Sequence, residues 1–104
     1  MKKSEIFQII LEVVCRCTEV SPDLVMSGSR QEEAVLARCL VAAYGMENGL
    51  TNKCLQEFLN LKSHSSVCYA QSKYTERMRT DRRFRSIANY VGREMVAALS
   101  ASGQ

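Results

Sequence analysis

Thr51-Asn-Lys-Cys-Leu-Gln-Glu-Phe-Leu-Asn60-Leu-Lys-Ser-His-Ser-Ser-Val-Cys-Tyr-Ala70 is the stretch on which the fold turns. Thr51 is a helix-capping residue, and Cys54, Leu55, Phe58 and Leu59 recur at the spacing of one helical face. That short helix ends near Asn60. Only Leu61, Lys62 and Ser63 separate it from a second apolar series, in which Val67, Ala70, Tyr74 and Met78 form an inner stripe. Ser63 caps this next helix, and His64, Ser65, Cys68, Gln71 and Ser72 fall off its inner stripe. A short helix, a tight turn and an amphipathic helix opening on small polar side chains together make the pattern of a helix-turn-helix.

Working upstream, Ile6, Ile9, Ile10, Val13, Val14 and Cys17 predict a first helix over about Lys3 to Cys17. Ser21 caps a single turn that starts on Pro22, where a missing N–H costs nothing, and ends near Met26. Ser27 to Arg30 is a polar break. Ser29 with Glu32 three residues on has the spacing of a capping box for a long helix carrying Ala34, Val35, Ala37, Arg38, Val41 and Ala42. The same helix is expected to stop between Gly45 and Gly49, where Asn48 and Gly49 tolerate the left-handed conformation. Downstream, Thr80 or Asp81 starts a last helix with Phe84, Ile87, Ala88, Val91 and Met95 inward and Arg82, Arg83, Arg85 and Arg93 outward. Ser100 to Gln104 is expected to fray.

The pattern is that of an all-α domain of five to six helices, a single unit over residues 1–104 with its core at about 3–98. One proline, five glycines and no tryptophan among 104 residues suit helices with short connections. The five cysteines lie in apolar periodic stretches, without metal-ligand spacing, and read as reduced core residues. Cys15 and Cys17, two apart on a helix, point roughly 200° away from each other. No run is apolar enough for a membrane span, and Glu5 and Gln8 interrupt the start where a signal peptide is continuously apolar, so a cytoplasmic, nucleoid-associated location is expected. Met1 with Lys2 and Lys3 reads as the start of a complete small protein.

Charge is unevenly spread. Residues 1–61 carry 6 basic and 8 acidic side chains, and residues 62–104 carry 8 and 3. A polyanion facing the later helices fits this asymmetry, as does a basic solvated face. The helix opening at His64 presents free backbone N–H groups and the positive end of the helix dipole, which favour phosphate. Short hydroxyls and an imidazole at the same tip suit base edges. Tyr44, Tyr69, Tyr74 and Phe84 are too scattered for a base-stacking platform, so the expected partner is double-stranded DNA. Lys73, Arg77, Arg79, Arg82, Arg83 and Arg85 either track phosphates or solvate the surface. With one histidine, no glycine-rich phosphate loop and only a chance Cys68–His64 pair, neither catalysis nor a nucleotide, metal or other cofactor is expected.

Val20-Ser-Pro-Asp-Leu24, Ser27-Gly-Ser-Arg30, Ala34-Val-Leu-Ala-Arg38, Leu50-Thr51 and His64-Ser-Ser-Val-Cys-Tyr-Ala70 occur in an order and approximate spacing that resemble the carboxy-terminal DNA-binding domain (domain IV) of the bacterial replication initiator DnaA. The resemblance covers roughly residues 5–98. It implies a TrpR/DnaA carboxy-terminal-like fold and sequence-specific duplex binding in replication initiation, at an origin, or in transcription regulation. It further implies that Arg30 enters the minor groove, that Arg38 approaches the DNA from the following helix, and that His64, Ser65 and Ser66 face the major groove. The chain departs from the family pattern in three places. Ser63 stands where the family has aspartate, Cys39 where it has glutamine, and Leu61-Lys62 where it has Gly-Gly-Arg.

The expected DNA-binding set is Arg30, Arg38, Thr51, Lys53, Lys62, Ser63, His64, Ser65 and Ser66, with Thr51, Lys53, Lys62 and Arg38 on phosphates. The alternative is a protein–protein interaction module that keeps the fold and has turned it to a protein partner. That alternative predicts an exposed apolar patch on the first or the last helix.

Overall fold

Four helix starts are set by local side-chain bonds. The Ser21 hydroxyl accepts from Leu24 N–H (3.2 Å), Thr51 from Cys54 N–H (3.2 Å), Ser63 from Ser66 N–H (3.4 Å), and the Asp81 carboxylate from Phe84 N–H (3.1 Å). In the computed structural model, which describes residues 2–103, they open α2 (Pro22–Met26), α4 (Asn52–Phe58), α5 (His64–Thr80) and α6 (Arg82–Gly103). The remaining helices are α1 (Lys3–Thr18) and α3 (Glu32–Glu47). No strand occurs among the described residues.

Three helices end the same way. A residue in the left-handed region follows the helix, Glu19 (φ 59°) after α1, Gly49 (φ 92°) after α3 and Asn60 (φ 57°) after α4. The next amide then reaches back to the carbonyl five residues earlier: Val20 to Cys15, Leu50 to Gly45, Leu61 to Gln56. Each of these following residues is apolar and turns inward, Val20 and Leu50 fully and Leu61 in part.

Packing centres on α3, where Cys39, Leu40, Val41 and Ala42 are consecutive and all buried. A helix apolar all round needs neighbours all round. α1, α2, α4 and α5 lie against it, and α6 closes the domain across α1 and α5. α1 contributes Phe7 and Leu11 besides Ile10, Val13 and Val14, so its buried face is wider than the stripe read from the sequence.

Several expectations are corrected. Ser29 does not cap α3: its hydroxyl accepts from Gln31 N–H, while Ser27 accepts from Ser29 N–H, and this pair of side-chain turns delays the helix until Glu32. α3 ends at Glu47, within the expected Gly45–Gly49 window, with Gly45 still inside the helix. A Cβ there would stand 2.8 Å from Leu55 Cδ2 and 3.2 Å from Leu50 Cδ1, so a larger residue would require these two buried side chains to shift. Asn48 is not left-handed; Gly49 alone makes the turn. Ser100 to Gly103 remain helical, there being no helix breaker before Gly103, and Gln104 lies outside the described residues. Arg85 does not project freely but donates to the Met78 and Arg79 carbonyls, which α5 leaves open at its end.

The thiols divide by environment rather than forming one core set. All five are free. Cys15 and Cys39 are buried, and burial pushes them up to about 11 and about 12. Cys68 is exposed, and the Thr51 hydroxyl holds the half-exposed Cys54 thiol below its ordinary value. An alkylating reagent at neutral pH is therefore expected to label Cys68 and Cys54 at least about a hundredfold faster than Cys15 and Cys39, as read by peptide mapping. Rapid native labelling of Cys39 would contradict this packing.

Candidate functional site

A groove of about 790 Å³ runs between the α2–α3 loop and α5. The loop supplies Ser27, Gly28, Ser29 and Arg30 as one lip. Asn60, Leu61 and Lys62 with Ser65, Ser66, Tyr69, Ala70 and Lys73 form the other. Glu32, Val35, Arg38 and Cys39 of α3 lie between them. Gly28, at φ 78°, makes the turn that brings the loop back along the groove.

Five of the nine expected residues meet here: Arg30, Arg38, Lys62, Ser65 and Ser66. The tip of α5 is exposed rather than packed inside, with Ser63, His64 and Ser65 in solvent and Ser66 half-buried. Thr51, Lys53, Ser63 and His64 stand outside the groove lining. Ser63 and Thr51 spend their hydroxyls on capping, and the Ser66 hydroxyl lies 3.3 Å from that of Ser63. Ser65 has no such tie, so its hydroxyl is the freer of the pair.

Arg38 is more constrained than a surface cation. Its Nε donates to the Val25 carbonyl (3.0 Å) and one Nη to the Ser29 carbonyl (3.2 Å), bracing the loop that carries Arg30. Burial lowers its pKa, in the direction expected for a desolvated cation. Arg38 therefore positions Arg30 as well as charging the groove.

Tyr69 and Lys73 join the site at the i+4 and i+8 positions from Ser65. Helical spacing carried that signal, because side chains four apart on a helix share a face. Tyr69 is one of the few large apolar side chains left exposed, at 59%. The cations outnumber the acids, with Arg30, Arg38, Lys62 and Lys73 against Glu32 alone. Lys73, Arg38 and Arg77 all lie near enough to pull the Cys39 thiol down against its burial.

Elsewhere the surface offers less. The exposed Tyr90 and Val96 of α6 are six residues apart, about 120° around the helix, and do not form one patch. α1 exposes no large apolar side chain. Among the described residues no group of three or more metal-binding side chains is assembled, and no helix is long and apolar enough to cross a membrane. No protein-family model, curated protein or solved structure matches the chain.

Proposed function

We propose that this chain is a duplex-DNA-binding domain in which α4 and α5 act as a helix-turn-helix, built on the plan of the DnaA carboxy-terminal domain and serving in replication or transcription control. One observation carries the reading: the exposed tip of α5 and the Arg30 loop flank a single groove in which four cations face one carboxylate. A concave groove with a helix tip on one lip and a basic loop on the other suits one sugar–phosphate strand lying between them. α5 then enters the major groove on one side of that strand, and Arg30 reaches the minor groove on the other. Arg38, Lys62 and Lys73 neutralise the phosphates of the strand, while Lys53 and the amino terminus of α4 meet the opposite backbone. His64 and Ser65 read base edges, and Ser66 holds the helix start.

Titration of a random duplex across a salt series tests the proposal. Four cations on phosphates give a slope of log K against log salt of about −3.6. A flat, millimolar response at low salt removes DNA binding and leaves the protein-interaction module. Within the proposal, the base-reading and phosphate roles separate cleanly. Ser65→Ala is expected to alter base preference at one or two positions by about 1–3 kcal/mol, as read by selection from a random duplex library. Lys53→Ala is expected to weaken all sequences alike and to reduce the salt slope by about 1. An unchanged selected motif for Ser65→Ala rules out its base contact.

A further inference from the structure

Glu32 is the sole acidic side chain of the groove, and its position is a compromise. As the first residue of α3 it favours the helix, because a carboxylate complements the positive end of the helix dipole. In a groove for phosphate the same carboxylate is repulsive. The structure supplies a counter-charge from another helix: Arg77 of α5 places one Nη 2.6 Å from Glu32 Oε1. Its other Nη lies 3.3 Å from Asp81 Oδ2, the carboxylate that caps α6. Arg77 is largely buried, with 27% of its side chain exposed, and its Nε has no protein partner. Glu32 is 61% exposed. A pair so open at one end adds little to stability, so its effect lies in the charge the groove presents.

We infer that Arg77 is a positioning residue for the nucleic-acid groove. It neutralises Glu32 and holds that carboxylate at the α5 side, so that an incoming phosphate meets only net positive charge. The inference rests on the DNA-binding reading above. It differs from a merely structural role for Arg77 in one respect: once Glu32 is neutral, Arg77 is dispensable for binding.

The test is a double-mutant cycle on the full chain, with a short random duplex as probe, anisotropy as the readout and thermal melts in parallel. Arg77→Met is expected to weaken binding by about tenfold. Glu32→Gln alone strengthens it by about twofold, and the double variant returns to within about threefold of wild type. Arg77→Lys, which keeps the charge, restores most of the loss. If Arg77→Met binds as wild type does, or if its loss persists in the double variant, the inference is overturned. A wild-type chain that does not bind duplex at low salt instead overturns the DNA reading, and this inference falls with it.

Discussion

Lys73→Glu is expected to weaken binding to random duplex by about a hundredfold or more at moderate salt, and to flatten its salt dependence. Lys73 lies on the groove side of α5, eight residues beyond Ser65 and therefore about 12 Å along the helix axis. It lines the α5 lip of the groove, near enough to the buried Cys39 for its charge to favour the thiolate. Losing one phosphate contact accounts for about tenfold, and setting a carboxylate against the same phosphate for about tenfold more. The half-exposed position accepts glutamate without disturbing α5, so the circular dichroism spectrum and the melting temperature stay close to wild type. Unaltered affinity would separate this groove from any nucleic acid. A loss accompanied by unfolding would be uninformative, and Lys73→Gln then measures the contact alone, at about tenfold.

The second large effect concerns stability. Leu40→Ala is expected to cost about 2–5 kcal/mol, because Leu40 is fully buried on the helix that four others lean on. For a domain of this size each kcal/mol lowers the melting midpoint by about 4–8 °C, so a fall of well over 10 °C is anticipated. Urea unfolding should show a lower midpoint with an unchanged slope, the mark of lost packing rather than of an altered unfolded state. Leu40→Met, which nearly conserves volume, should cost less than about 1.5 kcal/mol. Equal tolerance of both substitutions would mean that α3 is not the centre of the core.

These two positions differ in how far the sequence revealed them. Leu40 falls in the run Cys39-Leu-Val-Ala42, which is apolar on consecutive residues, yet a periodic stripe read from Ala34, Val35, Ala37, Val41 and Ala42 passes over it. Only a helix enclosed on all sides buries every residue of such a run. Lys73 shares a helical face with Ser65, so spacing placed it on the right side of α5. What lay across from that side was not readable, because the partner lip comes from residues 27–30, more than thirty positions earlier.

The sequence by itself determined the six helices and most of their ends. Ser21, Thr51, Ser63 and Asp81 act on amides three residues away, Pro22 acts through its own ring, and Gly49 through its own backbone, so no distant residue is needed to set them. Tertiary structure decided where those rules give way. Ser29 lost its predicted capping role in a turn whose carbonyl Arg38 holds, and Gly45 of α3 came to lie against the side chains of Leu50 and Leu55. The groove, the Arg38 brace to Val25 and the Glu32–Arg77 pair join residues 13 to 45 positions apart. Contacts at that separation come from how whole helices pack, which no local pattern encodes.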